Sequence, residues 1–118
     1  MASTVMVVDD EEMIRTLVAS ALSVSGYEVV DAASPNQAIG MMDSCPGLEL
    51  LVTDVVMPEV GGYELAERMR VKRPELKVLF MSGYQPSPGK MAGVQGAGFL
   101  QKPFRITELL ARVQQLLR

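Results

Sequence analysis

The stretch Leu50-Leu51-Val52-Thr53-Asp54-Val55-Val56-Met57-Pro58 leaves few folds open to the chain that contains it. An apolar run rich in Leu and Val climbs to a single carboxylate, and a Met-Pro pair then turns the backbone away. Such a run reads as a strand buried on both faces, as in parallel sheets. Its polar end is then the carboxyl end, where open α/β sheets place their ligands. Taken by itself, Asp54 could equally cap the loop that follows the strand.

The rest of the chain repeats the pattern. Val5-Met6-Val7-Val8 is a second apolar run, closed by Asp9-Asp10. Ile14, Leu17, Val18, Ala21 and Leu22 then recur at helical spacing, with Asp10, Glu11 and Glu12 at the positive end of that helix. Ser25-Gly26 ends it, and Tyr27 to Ala32 forms a short strand. Ser34-Pro35-Asn36-Gln37 combines an N-cap, proline at the first helical position and a capping-box glutamine, opening a helix to about Asp43. After Pro46-Gly47 comes the Asp54 strand, and Gly61-Gly62 reads as a flexible turn into a helix over Tyr63 to Val71. Lys77 to Met81 is a fourth strand ending at Ser82-Gly83. Tyr84 to Gly96 holds Pro86, Pro88, Gly89, Gly93 and Gly96, so any helix there is short. Ala97 to Gln101 is a fifth strand ending at Lys102-Pro103-Phe104, and Ile106, Leu109, Leu110, Val113, Leu116 and Leu117 mark a final amphipathic helix. Five β-α units in a row predict one α/β domain over residues 1–118. It is a doubly wound (βα)5, flavodoxin-like fold with a parallel sheet ordered 2-1-3-4-5 and right-handed crossovers.

Composition narrows the chemistry. With 118 residues, 48% apolar and 21% charged, the chain can bury a core without metal or disulfide staples. A net charge of −3 with no basic stripe argues against direct nucleic-acid binding. The lone Cys45 fits a reducing, cytoplasmic setting. A strand starting by Val5 leaves no room for a signal peptide, and no apolar run reaches spanning length, so membrane insertion is not expected. Histidine is absent, which excludes His-based triads, most zinc sites and a phosphohistidine donor role.

In the order 2-1-3-4-5, strands 1 and 3 are neighbours where the winding reverses, so Asp9, Asp10 and Asp54 converge. Two unit charges about 4 Å apart repel by roughly 4 kcal/mol at an effective dielectric near 20, so such a cluster calls for a cation. Oxygen ligands at a partly open site suit Mg2+. Lys102 adds a positive charge from another strand end, and Ser82 a hydroxyl. An Asp nucleophile, a hard divalent ion, a Lys and a hydroxyl are the parts needed to accept a phosphoryl group. Each residue also has an ordinary reading: a helix cap for Asp9-Asp10, a turn residue for Ser82, a surface charge for Lys102. Joint placement at four strand ends favours the chemistry.

Four pieces then resemble the receiver domain of two-component response regulators along essentially the whole chain. They are Val7-Val8-Asp9-Asp10-Glu11, Thr53 to Pro58 with Gly62, Met81-Ser82-Gly83-Tyr84, and Phe99-Leu100-Gln101-Lys102-Pro103-Phe104. The wording of the last two is similar to receivers attached to hybrid sensor kinases. The resemblance implies a phosphoacceptor signalling domain rather than a turnover enzyme. Asp54 would take a phosphoryl group from a sensor histidine kinase or a histidine phosphotransfer protein. It also implies Mg2+, with Mn2+ able to substitute, on Asp10, Asp54 and the Val56 carbonyl, with Asp9 acting mainly through a metal-bound water. Ser82 would bond a phosphoryl oxygen, Lys102 would pair with it, and Phe99 would be the switch aromatic, although plain core packing explains a phenylalanine there as well. Met57, Pro58, Gly62, Gly83, Tyr84 and Pro103 would shape the pocket and its turns, with a cis Lys102-Pro103 bond. The output would pass to a downstream protein or output domain through the face of the fourth helix, fifth strand and fifth helix, from a monomer or weak dimer.

Two departures from the family stand out. The segment between Ser82 and Phe99 is shorter than in chemotaxis-type members, so the fourth helix should be short, shifted or mobile. Val56 and Tyr84 are bulky and cannot orient a water as an acid or amide would, which predicts slow self-dephosphorylation. Other readings fit less well. A haloacid-dehalogenase-type phosphatase would show Asp-x-Asp after its first strand and a cap domain. A P-loop would need one residue fewer between Gly83 and Gly89-Lys90 and a Ser or Thr where Met91 stands. An FMN phosphate would be repelled by the carboxylates. A degenerate receiver acting only as a protein-binding module would keep the fold without the chemistry.

Overall fold

The computed structural model describes residues 3–118. The elements alternate without exception: β1 (Thr4–Val8), α1 (Glu12–Val24), β2 (Glu28–Ala32), α2 (Pro35–Met41) and β3 (Leu48–Asp54) are followed by α3 (Gly62–Lys72), β4 (Lys77–Ser82), α4 (Pro88–Ala92), β5 (Gly98–Gln101) and α5 (Ile106–Leu116). A 3-10 turn over Met42–Ser44 extends α2. All four strand pairings are parallel, and the order is β2-β1-β3-β4-β5.

The continuous apolar runs become intelligible once both faces of the sheet are covered. Side chains alternate along each strand. Val5, Val7, Leu50, Val52, Leu79 and Met81 meet Val18 and Leu22 of α1 and Leu109 and Val113 of α5. Met6, Val8, Leu51, Val78 and Phe80 meet Ala38 of α2 and Leu65, Ala66 and Met69 of α3 on the opposite face. Burying a single Leu or Val contributes about 1.5–3 kcal/mol, so these two layers dominate the stability.

Local signals hold with two refinements. Ser34 caps α2 by accepting from the Gln37 N–H at 3.2 Å, but the Gln37 amide oxygen reaches back one residue further than a standard box, to the Ala33 N–H at 2.7 Å. Gly61-Gly62 is not a flexible turn. A Cβ on Gly62 would overlap the Asp54 carbonyl oxygen, and the Gly62 N–H donates to the Val55 carbonyl at 2.8 Å. The glycine is there for close packing of α3 beneath the end of β3. The left-handed backbone in this loop falls on Glu59, at φ 70°.

The fourth helix is as short as its Gly and Pro content predicts. It spans five residues, none of them buried. Its segment is held further along, by Val94 in the core and by the Arg70 guanidinium donating to the Gln95 carbonyl at 2.7 Å.

Candidate functional site

Strand register assembles the site. Val8 pairs with Thr53, so the next residues along each strand, Asp9 and Asp54, emerge side by side. Asp54 pairs with Met81, which sets Ser82 one step beyond. Ser82 pairs with Gln101, and the Lys102 N–H then donates to the Ser82 carbonyl at 2.7 Å. Side chains from the ends of four different strands thus meet at one end of the sheet, at the point where the winding reverses.

The carboxylates of Asp9, Asp10 and Asp54 each place an oxygen within 4.8 Å of the others. Asp9 is fully buried and Asp54 nearly so. The Lys102 ammonium donates to Asp9 Oδ2 at 3.2 Å and to Asp54 Oδ1 at 3.3 Å. Asp9 Oδ1 accepts from the Glu11 N–H at 2.9 Å, and Asp54 Oδ1 from the Val55 N–H at 3.1 Å. Asp54 thus also ties down the start of its loop with one oxygen. Asp9 closes a turn before α1 and does not cap it, since the N-cap is Glu11 and carries no side-chain cap bond. Asp54 Oδ2 receives no protein donor among the described residues. A cleft of about 330 Å3 opens above, lined by Asp10, Glu11, Asp54, Val56, Ser82, Gly83, Tyr84 and Lys102.

Electrostatics reflects this crowding. Burial raises the Asp54 carboxyl above its ordinary range; Lys102 opposes the rise, while Asp9 and Asp10 add to it. Burial alone would lower the Lys102 ammonium, but Asp9 and Asp54 outweigh it and hold it above its ordinary range. Three carboxylates facing one lysine leave an excess of negative charge, and an all-oxygen donor set fits a hard divalent cation such as Mg2+.

The remaining sequence candidates fall around this centre. Val56 and Tyr84 are exposed on the rim, 58% and 71% accessible. Ser82 is buried, its Oγ accepting from the Tyr84 N–H at 3.0 Å. Gly83 has open space where a side chain would project. Met57 packs into the core, and the Lys102-Pro103 bond is cis. Phe99 lies partly buried against the same core and does not line the acceptor cleft.

Two contributors gave no sequence signal. Arg15 donates to the Asp9 carbonyl at 2.8 Å and to Asp31 Oδ2 at 3.1 Å, fixing the backbone beneath the carboxylates from α1. Nothing in a helical arginine between Ile14 and Leu17 announces that role. Tyr63, read only as a helix start, packs its ring on Phe80 with centroids 4.7 Å apart. Its hydroxyl accepts from the Ser87 N–H at 3.1 Å.

Comparison with known proteins agrees with this geometry. The family model described as "Response regulator receiver domain" matches residues 5–114. The sensor kinase CckA of Brucella abortus is 35% identical over 98% of the chain, which spans 13% of that kinase. The response regulator MprA of Mycobacterium bovis is 33% identical over 100% of the chain, which spans 52% of that regulator. Among solved structures, the receiver domain from the hybrid histidine kinase CckA aligns with a TM-score of 0.85 at 33% identity, covering 98% of this chain and 99% of that one. Vibrio cholerae chemotaxis protein CheY4 aligns with a TM-score of 0.89 at 29% identity, over the same shares of the two chains.

Proposed function

Because the chain belongs to the response regulator receiver domain family of two-component systems, we propose that Asp54 is its phosphoacceptor, loaded from the phosphohistidine of a partner kinase or phosphotransfer protein. The observation that carries this is the meeting of Asp9, Asp10, Asp54 and Lys102 at one end of the sheet, under an open cleft. A carboxylate oxygen of Asp54 forms the new O–P bond as the N–P bond of the donor breaks. The electron pair leaves on the imidazole nitrogen, and the donor departs as neutral imidazole with its proton on the other ring nitrogen. Water attacking phosphorus later returns the carboxylate and inorganic phosphate.

Asp9, Asp10, Asp54 and the Val56 carbonyl would hold Mg2+, or Mn2+ in its place, which neutralises charge on the phosphoryl oxygens. Lys102 shields the same oxygens from the β5 side. Ser82 keeps its hydroxyl proton free to donate to one of them, since its oxygen is the acceptor for the Tyr84 N–H. Phosphorylation would be relayed to the face formed by α4, β5 and α5, with Phe99 as the moving aromatic, for reading by a downstream protein or output domain. Transfer is the domain's own chemistry, so it acts as a signalling element, monomeric or weakly dimeric.

The test is incubation with acetyl phosphate, with and without Mg2+, followed by intact mass. A single phosphoryl adduct that requires Mg2+ and is lost in Asp54→Asn is the expected result. An adduct that persists in Asp54→Asn would refute the assignment. No adduct under any condition would leave a receiver that works only as a protein-binding module.

A further inference from the structure

The strap from Gly83 to Ser87 lends Tyr84, Gln85 and Ser87 to the wall of a second cleft, of about 740 Å3, that adjoins the phosphoacceptor pocket. The two share Val56, Ser82 and Tyr84 as walls. Gly83, Tyr84, Gln85 and Pro86 are all exposed, and α4 beyond them has no fully buried residue and touches the core through the partly buried Met91. Apolar packing therefore does not position this strap. Two hydrogen bonds do: Tyr84 N–H to Ser82 Oγ at 3.0 Å at one end, and Ser87 N–H to the Tyr63 hydroxyl at 3.1 Å at the other.

Tyr63 is a rigid post for the far clasp. Only 8% of it is accessible, and its ring is packed on Phe80 of β4. Its neighbour Gly62 is wedged under the Asp54 carbonyl, so the post stands on the acceptor's own loop. The Lys90 ammonium lies 5.9 Å from the ring centroid and adds a cation-π contact from α4. The strap itself is stiff, because Pro86 and Pro88 flank Ser87 and restrict both its neighbours and itself.

From these contacts we infer that Tyr63 is a positioning residue, whose hydroxyl clasps the strap in its resting place and sets the cost of switching. The inference rests on the phosphoacceptor reading of Asp54. When an acceptor group on Asp54 draws the Ser82 hydroxyl inward, the Tyr84 N–H loses or follows its partner. A shift at Tyr84 is carried along the stiff strap to Ser87, where the bond to Tyr63 resists it. A ligand shifts such an equilibrium only by its preference for one state, so removing a contact made only at rest tightens the response.

Beryllofluoride with Mg2+ serves as the phosphoryl mimic, titrated against the full 118-residue chain by NMR, alongside hydrogen exchange of the Ser87 amide. Tyr63→Phe keeps the ring and deletes the clasp. Ser87→Pro deletes the donor instead; its backbone φ of −88° is roughly 20° from the value proline fixes, so Tyr63→Phe is the milder of the two changes. A net hydrogen bond corresponds to about fivefold in an equilibrium. Each variant should therefore reach half-saturation at about fivefold lower beryllofluoride, and Ser87 exchange in Tyr63→Phe should quicken by a similar factor. The double variant should gain no more than either single one, because both remove the same bond. Unchanged half-saturation in both variants, or additive gains, would overturn the clasp. Wild-type chain that takes up no beryllofluoride would instead overturn the phosphoacceptor reading, and the coupling with it.

Discussion

At the scale of single residues, Asp54 carries a conflict between folding and chemistry. Burial raises its carboxyl, Lys102 only partly relieves this, and Asp9 and Asp10 add repulsion. A carboxyl raised in the folded state binds its proton more tightly there than in the unfolded chain. Its contribution is fully favourable below the ordinary value of 3.8 and is lost as pH climbs through the raised folded value. The metal-free domain should thus be less stable at neutral pH than an otherwise identical chain lacking this charge. Asp54→Asn is expected to raise the thermal midpoint at pH 7 by an amount corresponding to about 1 kcal/mol, the usual scale of one substitution. That advantage should shrink as pH falls through the raised folded value and the Asp54 carboxyl takes up its proton. An advantage that grew on acidification would show that the sign is wrong. Val56 and Tyr84 make a separate prediction, about lifetime. Both stand exposed on the rim of the acceptor cleft, and neither orients a water as readily as an acid or amide would. A Val56→Asn, Tyr84→Glu double variant should lose its phosphoryl group about tenfold faster, well short of what a fully positioned general base supplies. Equal decay rates for the acetyl phosphate-loaded proteins would remove these two side chains from the account.

At the scale of elements, the strands were legible because each is a short apolar run ending in a polar residue, and that end is also where its chemistry sits. Val5–Val8 and Leu50–Thr53 needed no structure to be placed next to each other, since the (βα)5 order makes them neighbours and register does the rest. What the sequence could not reveal are contacts made between elements by residues whose local reading is already complete. Arg15 looks like an ordinary exposed helical arginine, and Tyr63 like the first apolar residue of a helix. Gly62 looked like a hinge because glycine's freedom is a local property, whereas its real reason, the Asp54 carbonyl against its Cα, is tertiary. The fourth helix lies between these cases. Its brevity follows from Pro86, Pro88, Gly89 and Gly93, but its attachment through Val94, Arg70 and Tyr63 does not. Few buried contacts imply low local stability. Amides over Tyr84 to Ala92 should therefore exchange at least about tenfold faster than those of α1 in the resting protein. Equal protection of the two regions at rest would contradict this picture of α4.

At the scale of the whole molecule, the sheet joins everything. Val5, Val7, Leu50, Val52, Leu79 and Met81 bind one helical layer through one face, while Met6, Val8, Leu51, Val78 and Phe80 bind the other. The same strands deliver Asp9, Asp54 and Ser82 to their carboxyl ends, so these three side chains keep their places as long as the core stays intact. Unfolding should be a single cooperative transition, as for most domains of this size. Cation binding at the carboxylates must then appear as global stability, because the unfolded chain cannot hold Asp9, Asp10 and Asp54 within reach of one ion. At Mg2+ concentrations ten times its dissociation constant the expected gain is about 1.4 kcal/mol. Asp10 is the informative position for a variant. It is the exposed member of the cluster, so Asp10→Ala removes a ligand without opening a cavity or stranding a buried charge, and the milder Asp10→Asn removes its charge. Wild-type protein should show a urea midpoint that rises with Mg2+ at constant slope, and Asp10→Ala a midpoint that barely moves over the same range. Equal responses from the two would mean that the cation acts elsewhere on this acidic molecule, and that the three carboxylates at the sheet's end tolerate their mutual repulsion with Lys102 alone.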